Sequence, residues 1–202
     1  AGRQVGARLI AIGSPEYPAL LGTIQNAPPL LWVRGCAAAL GRPMVALVGA
    51  RNASAAAMKL SRDFAGGLAD AGFTVVSGLA RGIDGAAHQG ALPSTIGVIA
   101  SGIEIAYPPQ HSDLQEQIAS EGLLLAEQPP GTEPRGSHFP SRNRIIAGVA
   151  SGTLVVEAAQ KSGSLITARL AGECGRELMA IPGSPLDARS QGCNHLIREG
   201  AV

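Results

Sequence analysis

From Met44 to the end of the chain, short apolar runs alternate with longer stretches of mixed apolar and polar residues. Such apolar runs are typical of strands buried on both faces of a parallel sheet. They predict six strands, over 44–49, 73–78, 94–102, 122–127, 152–158 and 176–183. The stretches between them predict helices after Ser54, over 82–92, around Leu114 and Ile118, and over 141–151, 162–175 and 190–200. Strands and helices that alternate at this spacing imply right-handed βαβ units, so we expect an α/β fold with a mostly parallel sheet.

The first 42 residues have a different pattern. Prolines interrupt this segment repeatedly, and it contains one short apolar run, Leu30–Val33. We therefore expect two parts: residues 1–42 as an N-terminal extension that adds one strand to the main domain, and residues 43–202 as the main domain itself. The chain begins at Ala1 without Met and ends abruptly at Val202, so we expect a piece of a longer protein.

Composition narrows the class of protein. The chain is 46% hydrophobic, which is enough for a sizeable core, and its formal net charge is only +1. The overall charge therefore gives no argument for nucleic-acid binding, and an anion site would need a local cluster of basic residues. No apolar run approaches the roughly 18 residues of a membrane span, and no signal peptide is visible. The three cysteines are far apart, so we expect reduced core thiols in a cytoplasmic protein, without zinc or disulfides.

The basic residues follow the predicted strands. Arg51 follows the first strand of the main domain, Arg81 the second, and Lys161 the strand over 152–158, while three arginines and no acids occur over 134–156. The carboxyl ends of parallel strands share one edge of the sheet, and ligands of α/β folds bind there. We therefore expect a cationic edge on a nearly neutral molecule, which would steer a polyanion to one face.

Glycine and serine accompany these cations. Gly78 and Gly82 bracket Arg81 just before a helix, and the segment Lys161–Ser164 stands at another helix start. Glycine permits close approach of backbone N–H groups to a phosphate, and a helix N-terminus adds partial positive charge. Ordinary capping and tight turns would explain one such loop. Several loops that pair a cation with Gly or Ser at the same edge favour phosphate binding.

Other chemistries are less well supported. The chain has no G-x-G-x-x-G after its first strand, no ATPase P-loop and no G-x-S-x-G elbow. Asp84 and His88 could form an acid–base pair, but their spacing favours an intrahelical hydrogen bond. Glu157 ends a buried strand, where catalytic carboxylates occur, but Lys161 offers it a structural ion pair. The remaining histidines have no metal-ligand spacing.

Aromatic residues are scarce, at 3% of the chain. Proteins that bind single strands often stack bases on aromatic side chains. Here Phe139 alone lies inside the basic region, and Tyr107 could either pack or bind. We therefore expect phosphate-dominated binding with at most one stacked base.

Several segments together resemble the DNA-processing protein A family (DprA, also called Smf). They include SGLARGID (77–84), FPSRNRIIAG (139–148) and SGSLITA (162–168), within a resemblance that runs from about Tyr17 to Ala201. The resemblance implies an extended Rossmann-like three-layer fold that binds single-stranded DNA. It also implies a role in natural transformation and recombination, where the family protects single-stranded DNA and helps to load the recombinase RecA. A homodimer through the C-terminal part, about 190–200, is implied as well.

The loops and the resemblance together give our candidate DNA-binding residues. They are Gly49, Arg51, Gly78, Arg81, Gly82, Phe139, Arg142, Asn143, Arg144, Lys161, Ser162, Gly163 and Ser164. We expect no catalytic residue, no cofactor and no metal. Two other hypotheses remain: a Rossmann-like nucleotide phosphoribohydrolase that uses Glu157, and a scaffold that docks RecA without binding DNA.

Overall fold

The computed structural model describes residues 2–202, which form one eight-stranded sheet with helices on both faces. The strands are β1 (Arg8–Ala11), β2 (Leu30–Gly35), β3 (Met44–Val48), β4 (Thr74–Ser77), β5 (Thr95–Ile99), β6 (Leu123–Ala126), β7 (Gly152–Val155) and β8 (Glu177–Ala180). The α-helices are α1 (Ala19–Gly22), α2 (Ala55–Asp70), α3 (Ile83–Ala91), α4 (Ser112–Glu121), α5 (His138–Val149), α6 (Ser164–Glu173) and α7 (Gln191–Arg198). Short 3-10 turns span Gly2–Val5, Ala37–Gly41 and Pro109–His111.

The strand order explains where a ligand site can form. The order across the sheet is β1-β2-β6-β5-β4-β3-β7-β8, and the six strands from β6 to β8 run parallel. From β3 the chain winds outward through β4, β5 and β6, and then returns to the other side of β3 to form β7. This reversal between β3 and β7 is a topological switch point, where the crevice of an open α/β sheet lies.

The two faces of the sheet carry separate cores because alternate residues of a strand point to opposite faces. Val45 and Leu47 of β3 pack with α2 and α3. Ala46 and Val48 of the same strand pack with residues of α5 and α6. A third cluster lies under α4. The structure is thus a three-layer α/β fold with a mostly parallel sheet, which confirms the predicted fold class.

The N-terminal segment contributes two strands where we expected one. β2 pairs antiparallel with β6, and β1 pairs antiparallel with β2, so both extend the main sheet. β1 was missed although the sequence has a short apolar run over 9–12. Only Ile10 of its four residues is buried. Gly35 at the end of β2 adopts a φ of 116°, and a Cβ there would lie 3.0 Å from the carbonyl oxygen of Ala119. The division at residue 42 stays a prediction.

The remaining expectations about local structure are largely met. All six strands expected after residue 43 are present, each within its expected range and shorter than it. The Ser54 side chain caps α2 by accepting a hydrogen bond from the Ala57 N–H at 3.1 Å. The cysteine expectation was correct only for Cys193, which is buried, because Cys36 is exposed and Cys174 is half-buried.

Candidate nucleic-acid interface

A large cavity lies at the switch point between β3 and β7. Its volume is about 810 Å³, and the segment that follows β3 and the segment that leads into α6 form two of its sides. The start of α5 forms another side. Nine of the thirteen candidate residues line this cavity: Gly49, Arg51, Phe139, Arg142, Asn143, Lys161, Ser162, Gly163 and Ser164.

A smaller cavity of about 230 Å³ adjoins it at the ends of β4 and β5. Gly78 and Arg81 line it, together with Tyr107 and the segment 108–110. The two cavities share four residues, Arg51, Ala80, Phe139 and Arg142, so they form one continuous depression. We call this depression the groove.

The turn after β3 needs a glycine at position 49 because the backbone is crowded there. A Cβ on Gly49 would lie 2.6 Å from Cγ1 of Ile83 and 2.9 Å from the carbonyl oxygen of Glu157. The next N–H, that of Ala50, donates to the same Glu157 oxygen at 2.7 Å, which ties the turn to β7. The tight turn leaves the side chain of Arg51 exposed at the rim of the groove.

The turn after β4 packs directly on the turn after β3. Gly82 has a φ of 74°, and a Cβ there would collide with the carbonyl oxygen of Ala50. Gly82 therefore joins the two turns and lines neither cavity. Leu79 also adopts a positive φ, 57°, and its carbonyl oxygen is hydrogen-bonded to Nδ1 of His111 at 2.9 Å. Arg81 is exposed between these constrained residues.

Arg142 is not an exposed phosphate contact but a buried side chain that holds two strand ends together. It is 6% exposed, and its Nη1 donates to the carbonyl oxygens of Gly78 and Val98. A Cβ on Gly78 would overlap this guanidinium group, which explains the glycine. Its Nε donates to Oδ1 of Asn143 at 3.1 Å. Burial lowers the pKa of Arg142 to about 10, with Asp84 opposing the shift.

Asp84 stabilises the same turn from α3. Its Oδ2 accepts hydrogen bonds from the N–H groups of Gly78 at 3.2 Å and Ala80 at 3.4 Å. Burial raises the pKa of Asp84, and the nearby Arg142 charge opposes the rise. The predicted hydrogen bond between Asp84 and His88 is absent among residues 2–202. His88 instead lies 2.7 Å from the Thr95 hydroxyl, so neither the intrahelical bond nor the acid–base pair forms.

An aromatic cluster stands where the two cavities meet. The rings of Tyr107 and Phe139 are 5.3 Å apart and tilted by 50°. The Arg51 guanidinium carbon lies 5.5 Å from the Phe139 ring centre, within the range of a cation–π contact. Tyr107 is 45% exposed, so this aromatic surface is open to a ligand.

The N-terminus of α6 forms the wall opposite this cluster. Lys161 is exposed and has no acidic partner within 4 Å in the part of the chain that the structure describes. The hydroxyls of Ser162 and Ser164 are 2.7 Å apart. Between residues 2 and 202, the N–H groups of Gly163 and Ser164 have no acceptor, as is usual for the first turn of a helix.

The structure does not bring Arg144 to the groove. Arg144 donates from Nη2 to Oε1 of Glu127, and both side chains are partly buried. It lies two residues after Arg142, which is about 200° around the helix, so the two side chains point to opposite sides of α5. The predicted helix over 141–151 implied that the two side chains diverge, but not which of them faces the groove.

Glu157 does not pair with Lys161. Its carboxylate accepts hydrogen bonds from the N–H of Ser54 at 3.0 Å and from the Ser54 hydroxyl at 2.7 Å. It is 8% exposed and lines neither cavity. Glu157 therefore links β7 to the N-terminus of α2 rather than facing a ligand.

Several residues of the groove were not among the candidates, including Tyr107, Thr167 and Arg189. Tyr107 was left undecided, while Arg189 and Thr167 were not considered; the last two line the larger cavity. Tyr107 and Arg189 follow the carboxyl ends of β5 and β8, so the rule that identified Arg51 could have found them. Arg189 is paired with Asp187 at 3.0 Å. Thr167 had no such signal, because it lies inside a helix.

Two features are absent from residues 2–202. No three His, Cys, Asp or Glu side chains in this range are grouped closely enough to hold a metal ion. Within the same range, no helix is long and apolar enough to cross a membrane.

Comparisons with known proteins agree with this architecture. The sequence model of the family described as DNA recombination-mediator protein A matches residues 8–202. DNA processing protein DprA of Streptococcus pneumoniae is 47% identical over 188 residues, which are 92% of this chain and 66% of that protein. Protein Smf of Synechocystis is 42% identical over 212 residues, with 98% of this chain and 52% of that protein covered. The chain thus spans about half to two-thirds of the length of these two relatives.

Solved structures give the same result. The X-ray structure of DprA from Streptococcus pneumoniae matches with a TM-score of 0.92 at 46% identity, covering 96% of this chain and 69% of that one. DNA processing protein A from Helicobacter pylori, whose structure describes a single-stranded DNA binding mode, matches with a TM-score of 0.88 at 30% identity. That match covers 96% of this chain and 90% of the other. By sequence and by fold, the chain belongs to the DNA recombination-mediator protein A family.

Proposed function

We propose that this chain binds single-stranded DNA along the groove. One observation carries the proposal: three exposed cations, Arg51, Arg81 and Lys161, surround an accessible aromatic surface at the switch point of the sheet. Guanidinium and ammonium groups neutralise backbone phosphates, and an aromatic ring stacks with any base. The combination suits a flexible single strand, whose bases are free to turn toward Phe139 and Tyr107.

The buried groups have a different role in this proposal. Arg142 and Asp84 hold the turn after β4 in place, while Gly163, Ser164 and Asn143 offer hydrogen-bond donors to the strand. Arg144 is not included, because its charge is neutralised by Glu127. Gly49, Gly78 and Gly82 contribute by allowing the close backbone packing described above. We infer a binding role without catalysis, since both oxygens of the Glu157 carboxylate accept hydrogen bonds from Ser54.

The family suggests a biological role for the groove. We propose that the protein acts in the cytoplasm in natural transformation and recombination, where it protects single-stranded DNA and helps to load RecA. We also propose a homodimer through the region of about 190–200, which contains α7. Two of its apolar side chains, Leu196 and Ile197, are only partly buried against the core, which leaves apolar surface for a partner.

Fluorescence anisotropy with labelled single- and double-stranded oligonucleotides tests the proposal. Three or four neutralised phosphates predict an affinity loss of roughly 1.3 to 1.7 decades between 50 and 200 mM salt. Arg51→Glu should weaken binding to every sequence at least about tenfold, since it replaces an attraction by a repulsion. The matched control is Arg62→Glu, an exposed arginine of α2 that lines neither cavity.

Two outcomes would contradict the proposal. Equal effects of Arg51→Glu and Arg62→Glu would show that the groove does not bind the strand. RecA binding without measurable affinity for any oligonucleotide would favour a docking scaffold instead. Release of free base from nucleoside monophosphates, lost in Glu157→Gln, would favour the phosphoribohydrolase.

A further inference from the structure

The inner end of the larger cavity is closed by buried residues. Val48, Ile146 and Thr167 line it and are at most 3% exposed. A strand cannot pass through this layer of buried residues, so a ligand that reaches this end of the cavity must turn or terminate there. The larger cavity as a whole has a volume of about 810 Å³, which is within the range of small-molecule sites, roughly 300 to 1,000 Å³.

Two nine-tenths buried side chains of this cavity have polar atoms without partners. Arg142 uses Nε and Nη1 in hydrogen bonds, but Nη2 has no partner among residues 2–202. Thr167 is 2% exposed, and its hydroxyl makes no hydrogen bond within the same range. Both residues line the larger cavity, so these two donors are available to a ligand that enters it.

The N-terminus of α6 adds donors on the same side. Thr167 lies three residues after Ser164, and residues at this spacing occupy the same face of a helix. The unpaired N–H groups of Gly163 and Ser164 and the partial positive charge of this ten-residue helix therefore accompany the Thr167 hydroxyl. Asp84 also lines this cavity, and its carboxyl group accepts hydrogen bonds from the N–H groups of Gly78 and Ala80.

This donor set fits a phosphomonoester better than a phosphodiester. A phosphate inside a strand has two free oxygens and one charge, and the chain must leave it on both sides. A phosphomonoester has three free oxygens and a charge of about −1.5 to −2 at pH 7, and its chain leaves on one side only. Donors from a helix end, a hydroxyl and a guanidinium group can surround it together.

We propose that the closed end of the larger cavity binds a phosphomonoester, either at the terminus of a DNA strand or on a free nucleotide. The inference rests on the proposed function of the groove and adds a preference for phosphorylated ends. The open part of the groove, with Phe139 and Tyr107, then holds the nucleotides that follow.

Competition anisotropy tests this inference with one oligonucleotide sequence in four forms: hydroxyl at both ends, phosphate at the 5′ end, phosphate at the 3′ end, and circular. A phosphorylated end should compete about tenfold more strongly than the hydroxyl form, because hydrogen bonds to a charged group are strong. Thymidine monophosphate is the fifth competitor. Its competition without any end preference would identify the free nucleotide as the source of the phosphomonoester.

Thr167→Val removes the hydroxyl without changing the shape of the side chain. It should reduce the affinity ratio between phosphorylated and hydroxyl forms several-fold. Thr153→Val is the matched control, because Thr153 is also fully buried with an unpaired hydroxyl but lines neither cavity. Equal affinity for all four forms together with no competition by thymidine monophosphate would overturn the inference and leave the proposed function intact. Failure of every form to bind would instead overturn the proposed function.

Discussion

The two walls of the groove differ in how their polar groups are satisfied. On one wall, Asp84, His111 and Arg142 bond to the backbone of the turn after β4, so the protein itself uses most of the donors and acceptors. On the other wall, the N–H groups of Gly163 and Ser164 and the charge of Lys161 have no partner among the described residues. The first wall is built for a fixed shape and the second for an incoming anion. The first wall therefore mainly fixes the shape of the groove, with Nη2 of Arg142 as a remaining donor, while the second wall mainly offers donors to a ligand.

Replacing Arg142 tests the first wall and should have the largest effect on the free energy of unfolding. Arg142→Met removes the donors to Gly78 and Val98 and leaves Asp84 buried without its nearby cation. Breaking a buried charge arrangement in this way costs about 3–5 kcal/mol in the free energy of unfolding. Urea denaturation measures this free energy.

Arg144→Met is the matched control on the same helix. Arg144 and Glu127 are 19% and 25% exposed, so solvent screens their ion pair, and we expect a loss of about 1–2 kcal/mol. Equal losses for the two variants would show that Arg142 has no special role in the wall.

His88 allows a test of the helix that supports the first wall, because it lies inside α3. Thr95 donates to the carbonyl oxygen of Val75, so Nδ1 of His88 must donate to Thr95, and its Nε2 is buried without a partner in the described chain. Burial lowers the pKa of His88 to about 3. Because the folded-state pKa lies below the unfolded one, the unfolded chain binds the additional proton between pH 6.5 and 3. Stability is therefore lost as the pH falls through this window.

The loss from His88 should reach about 4 kcal/mol at pH 3. His88→Asn retains a donor near the Nδ1 position and cannot be protonated. As the pH falls, the free energy of unfolding should therefore decrease more for the wild type than for this variant. A difference that stays constant from pH 7 to pH 4 would contradict the assignment of a buried neutral imidazole.

Replacing Lys161 tests the second wall and should have the smallest effect on the protein, a modest change in the salt dependence of DNA binding. Lys161→Gln removes one phosphate contact, so the slope of log affinity against log salt should become shallower by about 0.7. The free energy of unfolding should change by less than about 0.5 kcal/mol, because the side chain is exposed and unpaired. Lys59→Gln, which removes an exposed lysine of α2 that pairs with Asp63, should leave the salt dependence unchanged.

The positions of most strands and of most groove residues were predictable for a simple reason. Apolar runs mark buried strands, and residues such as Arg51 and Lys161 that follow them share one edge of the sheet. Pairings were not predictable in the same way. Glu157 accepts a hydrogen bond from Ser54, which is more than 100 positions away in the chain, and does not pair with Lys161, which is only four positions away. His88 contacts Thr95 rather than Asp84, its neighbour on the helix.

The sequence by itself determined the α/β fold, the edge of the sheet that carries the cations, and the family. The tertiary structure alone decided which cations are free, because helix rotation and burial separate Arg142, Arg144 and Lys161 into a structural group, a neutralised ion pair and an exposed charge. It also decided that β1 joins the sheet and that Thr167 lines the larger cavity. The physical reason is that periodicity reports which face of an element is buried, whereas hydrogen-bond partners depend on segments that meet only after folding.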